Sequence, residues 1–519
     1  MSFRTAQDGP SGEPVPLRTG MILTACCLGQ LMVMLDASIL NVALPVISEA
    51  LEFDQHSLQW VINAFMIPTA GFLLLAGRMA DLFGRRRLFL VGVVLFTAAS
   101  LAGGLSYDAT TLILARALQG LGAAIMAPAT LTVLGTTFTE PEARARAFGL
   151  WGAVAGGGGA LGVILGGIIT EWTSWRWVLL INVPVGIALY LMIARSVPET
   201  RAPGERKLDV LGALSVTFGL VTLVYGIAEG ESYGWGSARI VTVLGLSAAL
   251  IAFFLYDQAR IARQPLIPLG VFRHRSLSLA NLVMLGVGAA LAGTFYFLTL
   301  LFQMVLGYTP LETGVAYLPL SLSVFVGAGG ISVLVGRIGP RPVLLTGLSL
   351  AVAGLLWFSR ADENAAFAAD LLGPSLLFGF GVGMVMTSVT TAATSDLPSH
   401  QQGLSSGLLT TTETLGGAAG LAVLVAVANS RTEEEMAGRA PTRELTESAL
   451  ASGFGLAFLT CAFVLVASLL AAFALPRGIR GEGGHGVPAE EAPSGEGDGG
   501  DREDGEGGPV GRAAVLEKH

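Results

Sequence analysis

The chain alternates between long apolar runs and short polar connections from one end to the other. Runs of roughly 20 largely apolar residues, the length that a helix needs to cross a bilayer, occur 14 times. The pattern predicts an all-α integral membrane protein with 14 transmembrane helices. The predicted segments are residues 20–47, 58–79, 88–106, 109–136, 146–170, 176–194, 210–229, 239–257, 278–305, 313–335, 342–359, 368–395, 403–429 and 449–476.

Composition agrees with a membrane protein and excludes two soluble classes. Of the 519 residues, 52% are apolar and 13% are charged, whereas a typical soluble domain carries about 25% charged residues. An ordinary soluble enzyme or nucleic-acid-binding protein of this size needs more polar surface than this chain offers. The three cysteines and five histidines show no disulfide or metal-ligand spacing, so no metal site is expected.

The net charge of −8 is unevenly distributed along the chain. Residues 481–519 hold ten acidic and three basic side chains and many glycines, which is typical of a disordered tail. With a cytoplasmic N-terminus, the inner loops and termini near the membrane carry 20 Arg and Lys residues and the outer loops carry six. The positive-inside rule therefore predicts cytoplasmic N- and C-termini. The one sizeable outer loop is expected at about residues 430–448.

A weak internal repeat suggests two related halves. Residues 77–87 and residues 336–342 both form Gly- and Arg-rich turns between two predicted spans. Paired halves around a central path are typical of transporters. The predicted organisation is a cytoplasmic N-terminus, an N-terminal six-helix bundle, two inserted helices with linkers, a C-terminal six-helix bundle and the tail. These parts cover residues 1–19, 20–197, 198–277, 278–476 and 477–519.

Four motifs then occur in order along the first five spans. Residues 35–45 resemble a first-helix motif, residues 77–87 a cytoplasmic loop G-x-x-x-D-x-x-G-R-R/K, residues 112–122 a fourth-helix motif and residues 152–167 a helix-5 antiporter motif. The resemblance is to the 14-helix drug:proton antiporters of the major facilitator superfamily, over about residues 20–476. It implies secondary active efflux of hydrophobic or amphipathic drugs or antibiotics in exchange for protons, with no cofactor beyond the proton gradient.

Three charged residues lie in the middle parts of predicted spans, away from the span ends, namely Asp36, Arg116 and Glu413. An ionised side chain in mid-membrane costs about 2.5–3.5 kcal/mol on insertion scales, so each needs an explanation. Asp36 is either a proton-binding group or a polar residue hydrogen-bonded between helices. Arg116 pairs with a buried acid or carbonyl, biases the proton affinity of a neighbouring carboxylate, or does both. The resemblance implies proton coupling for Asp36 and Arg116.

Glu413 departs from the family pattern, which is polar at this position but often glutamine or arginine. Three interpretations stay open for it. It is a second proton site, a partner for a cationic substrate, or a carboxylate beside a water-filled cavity with no specific role.

The cytoplasmic turn and the glycines of the fifth span are the remaining motif residues. Gly77, Asp81, Gly84, Arg85 and Arg86 either anchor the turn by the positive-inside rule or, as the resemblance implies, form a gating latch that stabilises the outward-open state.

Gly158, Gly162 and Gly166 share a helix face, with Gly167 beside them, and allow another helix to pack closely. They serve ordinary packing or a seam between rocking halves. Val163 stands where the family usually has proline, which removes an expected kink.

The expected function is that of a membrane transporter, with Tyr296 and Gln303 as candidate residues of the substrate cavity. The chain lacks G-x-x-x-x-G-K-S/T and any catalytic constellation, which argues against ATP as energy source and against an enzyme. The expected partners are a hydrophobic or cationic small molecule, protons and the lipid bilayer, with no nucleic acid, for a monomer in the cytoplasmic membrane. The alternatives are a dedicated exporter of one endogenous metabolite, such as a self-produced antibiotic, and a receptor or channel without coupled transport.

Overall fold

The computed structural model describes residues 16–53, 55–200, 209–262, 265–330, 335, 337–394, 402–440 and 442–476. Within these ranges all regular secondary structure is helical. The α-helices are α1 (Pro16–Ala50), α2 (Gln55–Leu58), α3 (Trp60–Phe83), α4 (Arg85–Gly104), α5 (Ala109–Thr137), α6 (Pro141–Trp172), α7 (Arg176–Leu180), α8 (Asn182–Ser196), α9 (Val210–Ala228), α10 (Gly230–Tyr233), α11 (Ala238–Tyr256), α12 (Arg275–Leu300), α13 (Pro310–Ala316), α14 (Leu318–Gly330), α15 (Pro340–Phe358), α16 (Leu372–Thr394), α17 (Gln402–Met436) and α18 (Arg443–Phe473). Segments of π-helix lie at Asp257–Ile261, Leu301–Val305 and Phe367–Leu371, and a 3₁₀-helix lies at Leu269–Arg273.

The helices confirm the predicted membrane fold. Thirteen helical stretches in the described part are long and apolar enough to cross a membrane. The remaining predicted segment corresponds to α3, whose apolar stretch Trp60–Leu73 is shorter. Together they match the fourteen predicted spans. The predicted disordered tail, residues 477–519, lies outside the described residues, and the division into two six-helix bundles stays a prediction.

Two predicted spans are each divided into two helices near a proline. The sixth span breaks at Ile181 between α7 and α8, and Pro184 lies in the first turn of α8. Because proline has no N–H, it cannot donate to the carbonyl of Leu180. The tenth span breaks in the same way at Tyr317, just before Pro319. The first of these breaks places Asn182, which belongs to the site described below.

The prediction of a large outer loop at residues 430–448 is wrong. Helix α17 continues to Met436 and α18 begins at Arg443, so the connection is short. Pairs four residues apart stabilise the helix ends, as in the 2.5 Å contact between Arg431 Nη2 and Glu435 Oε1,. The hydroxyl of Thr442 caps α18 by accepting from the backbone N–H of Leu445 at 3.2 Å,. Charged residues that indicated a loop therefore extend two helices beyond their apolar parts.

The first of the two inserted helices, α9, packs against both α3 and α17. Its side chains Leu220 and Val224 form a buried apolar cluster with Ile67 of α3 and with Ala418 and Ala422 of α17. The second inserted helix, α11, packs on α9. The insertion therefore covers a contact between one helix from each predicted bundle.

Glycines bring α6 into close contact with α1. A Cβ atom at Gly158 would lie 3.1 Å from Met34 Cβ, one at Gly162 would lie 2.9 Å from the carbonyl oxygen of Leu35, and one at Gly166 would lie 2.7 Å from that of Ile39. These glycines therefore present bare backbone to α1 over three successive turns, in the manner of small-residue faces between membrane helices. Gly167 instead faces α13, where a Cβ would lie 2.6 Å from the carbonyl oxygen of Pro310.

We expect Gly166→Ala to lower the thermal unfolding temperature of the protein in detergent. The added Cβ would meet backbone that cannot rotate away, and overpacking of this kind costs about 1–3 kcal/mol. Gly159→Ala is the matched control on the same helix, because nothing lies within 4 Å of a Cβ at Gly159. Equal unfolding temperatures for the two variants would contradict the close approach of α1 and α6.

Candidate functional site

Asp36 lies near the middle of α1 and is fully buried. Its Oδ1 atom accepts hydrogen bonds from Gln119 Nε2 at 2.6 Å and from Asn182 Nδ2 at 2.8 Å. Its Oδ2 atom accepts from Arg116 Nη1 at 2.6 Å. The carboxylate is therefore held by side chains of α5 and α8, two helices that neighbour α1.

Arg116 is the counter-ion of this carboxylate, and only 2% of its surface is exposed. Its Nη1 atom also donates to Gln119 Oε1 at 2.7 Å, and its Nε atom donates to the carbonyl oxygen of Val61 in α3 at 3.1 Å. The guanidinium lies 4.4 Å from the centre of the Phe65 ring, close enough for a cation–π interaction. Arg116 thus ties α5 to both α1 and α3.

Close packing of α3 and α5 makes this geometry attainable. A Cβ atom at Gly120 would collide with the carbonyl oxygen of Phe65, so glycine is required where the two helices touch. Thr69 adds a bond across the same contact, from its hydroxyl to the carbonyl oxygen of Gly120 at 3.0 Å. The small separation of the two backbones lets the side chain of Arg116 reach Val61.

The site is electrically balanced and well supplied with hydrogen bonds. Removing two charges from water is unfavourable unless they pair closely and their remaining donors and acceptors find partners. Here Gln119 bridges the pair, and its Nε2 atom also donates to Ser100 Oγ of α4 at 2.8 Å. Five buried polar side chains from four helices thus form one network. Such a network can hold one arrangement of α1, α4, α5 and α8, and a change of charge on Asp36 would alter it.

The sequence predicted Asp36 and Arg116 as site residues, but not Gln119, Asn182 or Ser100. Gln119 lies one helical turn beyond Arg116, so a polar residue at that spacing within an apolar run was an available signal. Asn182 stands two residues before Pro184 inside a predicted span, and a polar residue at that place was a second available signal. Ser100 carries no signal that distinguishes it from other small polar residues in membrane helices.

Glu413 lies apart from this network, on α17 where that helix packs against α12. A Cβ atom at Gly288 of α12 would collide with the carbonyl oxygen of Glu413, so the two backbones touch. The neighbouring Thr412 hydroxyl donates to Asn281 Oδ1 at 2.8 Å. Among the described residues, the carboxylate of Glu413 has no hydrogen bond and no ion pair. The structure thus brings Asp36 and Arg116 together and does not join Glu413 to them.

The turn between α3 and α4, which the sequence predicts to be cytoplasmic, depends on Gly84. Its φ angle of +115° lies in a region that residues with a side chain rarely adopt. Gly77 lies farther back on α3, where a Cβ would make an ordinary contact of 3.6 Å with Pro128 Cβ. The side chain of Asp81, the predicted acidic partner in this turn, lies outside the described residues.

The arginines after Gly84 bind the end of α8 and the segment that follows it. The backbone N–H of Arg85 donates to the carbonyl oxygen of Thr200 at 3.1 Å. Arg86 Nη2 donates to the carbonyl oxygen of Ala194, in the last turn of α8, where a cation interacts favourably with the helix dipole. Arg87 Nε lies 3.6 Å from a carboxylate oxygen of Glu199. The turn is therefore attached to neighbouring elements, as well as being positively charged.

The two candidate cavity residues have different surroundings. Tyr296 is buried in the largest apolar cluster and packs edge-on against Phe297. Gln303 lies in the π-helix Leu301–Val305 and lines a cavity of about 440 Å³ with Glu49 and Tyr308. In the described part of the chain, no group of three or more His, Cys, Asp or Glu residues is arranged to hold a metal ion.

An all-helical bundle with many membrane spans and an ion pair buried among them has the architecture of a solute transporter. Comparison of the sequence with known families agrees, since residues 26–421 match the Major Facilitator Superfamily. The chain belongs to this superfamily and is a multi-pass membrane transporter, not an enzyme. Transporters of this superfamily generally need no cofactor.

Individual relatives and solved structures make the comparison more specific. The chain is 38% identical to puromycin resistance protein pur8 of Streptomyces alboniger, over 87% of this chain and 90% of that protein. It is 39% identical to cephamycin export protein CmcT of Amycolatopsis lactamdurans, over 91% and 95% of the two chains. These relatives confirm the resemblance to antibiotic efflux transporters. The fold is similar to that of a bacterial homologue of the human lysosomal transporter Spinster in an inward-facing, unoccupied conformation, with a TM-score of 0.62, 16% identity and coverage of 89% and 98%.

We expect Arg116→Leu to lower the free energy of unfolding by about 3–5 kcal/mol, because it leaves a buried carboxylate without its counter-ion. Adding Asp36→Leu should recover much of this loss, since the uncompensated charge is then absent. Thermal unfolding in detergent measures both effects.

The control for this pair is Arg431→Leu, which removes an arginine that is 40% exposed and pairs with Glu435 at the surface. That change should cost about 1 kcal/mol or less. If Arg116→Leu were no more destabilising than Arg431→Leu, Asp36 and Arg116 would not form the buried pair described.

Proposed function

We propose that this transporter exports amphipathic, neutral or cationic antibiotic-like compounds from the cytoplasm in exchange for protons. The observation that carries the proposal is the Asp36–Arg116 ion pair, buried at the middle of α1 and linked to α4, α5 and α8. The names of the relatives, which include resistance and export proteins for puromycin and cephamycin, support the direction of transport and the kind of substrate.

Proton binding at Asp36 provides a means of coupling. While Asp36 is ionised, its oxygens accept three hydrogen bonds, one of them from a cation. A proton on either oxygen removes the charge that balances Arg116 and weakens charge-assisted bonds, which are roughly twice as strong as neutral ones. The relative stability of different helix arrangements then depends on protonation. Opening of the site to one side of the membrane at a time makes proton uptake and release directional.

The available energy is sufficient for useful export. One proton crossing a potential of about 100 mV releases roughly 2.3 kcal/mol, and one pH unit adds about 1.4 kcal/mol. The sum of roughly 3.7 kcal/mol corresponds to a several-hundredfold gradient of a neutral solute.

The proposed orientation places both termini in the cytoplasm, with the chain acting as a monomer in the cell membrane. The distribution of arginines along the sequence supports this orientation. In it, the turn after α3 faces the cytoplasm, and the bonds from Arg85, Arg86 and Arg87 to the end of α8 and the following residues support its proposed role as a gating latch.

Glu413 is proposed as a second group that takes part in coupling, on the C-terminal side of the molecule. Its carboxylate has no hydrogen bond among the described residues, which leaves it available to a proton or to a cationic group of the substrate. If Glu413 binds the substrate, the effect of replacing it depends on substrate charge. If it binds a proton, the effect is the same for neutral and cationic substrates.

A second candidate function is export of one endogenous metabolite, such as an antibiotic made by the same cell. The relatives include a tetracenomycin C resistance and export protein of Streptomyces glaucescens, 34% identical over 82% of this chain and 78% of that protein. Its name gives a single compound, which supports an exporter dedicated to one compound. A panel of compounds tested in an efflux-deficient host separates the two functions, because a dedicated exporter protects against one scaffold and a multidrug exporter against several.

We expect Asp36→Asn to abolish proton-driven export, because asparagine keeps an oxygen acceptor but does not exchange a proton. The protein should still insert and fold, with a lower unfolding temperature, since Arg116 loses its counter-ion. Proteoliposomes with an imposed pH gradient measure the transport. Asp108→Asn is the control, since Asp108 is an exposed cap at the start of α5. Wild-type transport that is insensitive to an uncoupler would contradict antiport.

We expect Glu413→Gln to reduce transport in a way that identifies its role. Loss of transport for cationic and neutral substrates alike indicates a proton site, and a loss of about tenfold or more confined to cations indicates a substrate contact, since a charge-assisted bond contributes about 1.5–3 kcal/mol. Initial export rates for two substrates of similar size and different charge make the comparison, with Glu444→Gln, at an exposed position in the first turn of α18, as the control. Unchanged rates for both substrates would remove Glu413 from the proposed mechanism.

A further inference from the structure

The distal end of the bundle, defined as the end at which α1 and α6 finish, contains a hydrogen bond between the two predicted bundles. Gln303 Nε2 of the C-terminal bundle donates to the carbonyl oxygen of Val42 in α1 at 2.8 Å. Gln303 lies in the π-helix Leu301–Val305 at the end of α12. A π-helical turn contains an extra residue and changes the direction of the side chains around it. The local distortion is therefore part of what aims Gln303 at α1.

A second bond crosses between the bundles in the opposite sense. Glu171, at the end of α6, accepts with its Oε2 atom from the backbone N–H of Leu311 at 2.9 Å. Leu311 lies in the first turn of α13, where backbone N–H groups have no partner within their own helix. Its partner comes instead from the other predicted bundle. Each bundle thus supplies one side chain that binds the main chain of the other.

Backbone contacts of glycines set the distance that both bonds need. A Cβ at Gly167 of α6 would lie 2.6 Å from the carbonyl oxygen of Pro310, and one at Gly314 of α13 would lie 2.8 Å from that of Val163. Because α6 and α13 touch directly, the carboxylate of Glu171 lies within hydrogen-bond distance of the backbone N–H of Leu311. The two side-chain bonds therefore add direction to a contact that is otherwise made by packing.

Both side chains are close to solvent, which makes the contact reversible. Glu171 is exposed, and Gln303 lines the cavity of about 440 Å³ beside Glu49. When the contact opens, water can replace each bond, so no buried polar group is left without a partner. The net contribution of such a hydrogen bond to the free energy is small. A gate that opens in every transport cycle requires such weak contacts.

We propose that Gln303 and Glu171 form a reciprocal latch that keeps the distal end closed while the opposite end is open. Gln303 then acts in gating and not as a substrate contact. The latch rests on the proposed function in one respect only, namely that the distal end opens during the transport cycle.

The test measures opening of the distal end directly, in the purified full-length protein in lipid nanodiscs. Spin labels are attached at Tyr107→Cys and Asn364→Cys, both exposed in connections at the distal end. The three native cysteines are buried, and their labelling is checked in the parent chain. Double electron–electron resonance gives the distribution of label distances. The variants are Gln303→Leu, Glu171→Leu, the two combined, Glu171→Gln, and Glu49→Leu as the control carboxylate in the same region.

We expect each leucine variant to raise the ratio of long-distance to short-distance population. The increase should be about fivefold for Gln303→Leu and about tenfold for Glu171→Leu, the factors that one neutral and one charge-assisted bond confer. The combined variant should approach the product of the two factors. Glu171→Gln keeps an oxygen acceptor and should shift the ratio less than Glu171→Leu, a gradation that misfolding would not produce. Glu49→Leu should leave the distribution unchanged.

The proposed latch is contradicted if folded Gln303→Leu and Glu171→Leu both keep the label-distance distribution of the parent protein. It is also contradicted if Glu49→Leu shifts that distribution as much as they do. Export rates measured on the same variants separate this result from the proposed function. If the label distances shift toward the open population and export is unchanged, the latch is supported. The same result contradicts a transport cycle whose rate depends on closure of the distal end. Loss of export without any shift overturns the latch and assigns Gln303 and Glu171 to another step.

Discussion

The arrangement of the N-terminal helices depends on one requirement, that a charge buried among membrane-spanning helices must be balanced by other protein groups. Asp36 meets it through Arg116, and Gln119, Asn182 and Ser100 complete the hydrogen bonds. Lipid offers no alternative partners, so the helices that carry these side chains must stay in register. The interaction that stabilises the fold is thus also the one that a proton can alter, which joins stability and mechanism at a single site.

Bare backbone at helix contacts is the second physical feature that the site requires. Gly120 lets α3 approach α5 closely enough for Arg116 to reach Val61, and the glycines of α6 allow a close approach of α1. Between membrane helices there is little hydrophobic driving force, so close packing contributes much of the association. Gly167 and Gly314 use the same device at the distal end, where side-chain bonds to the main chain accompany it. Tight, directional contacts of modest strength suit helices that must separate and return.

The inserted helices α9 and α11 show what an apolar sequence pattern predicts and what it does not. Two additional apolar runs between the halves were evident, and so was their membrane character. Their position was not, because an apolar helix pattern says which residues avoid water but not which neighbour they contact. The structure places α9 against both α3 and α17 through the cluster around Ile67 and Val224. Likewise, acidic and basic residues near position 435 indicated a loop, yet pairs four residues apart stabilise a helix there.

The membrane fold, the number of spans, the transporter family and the two charges at the centre of the site were all predictable from the sequence. These follow from hydrophobicity, charge and short motifs. They are local properties of the sequence, so they can be identified without knowing how the helices pack. The packing of the helices was needed to show that Asp36 and Arg116 bind one another and that Gln119, Asn182 and Ser100 complete their network. It was also needed to show that Glu413 lies apart and that Gln303 donates a hydrogen bond to α1. Residues separated by 19 to 261 positions meet in these contacts. Such meetings depend on how whole helices pack, and that is set by the sum of many weak contacts that no single stretch of sequence contains.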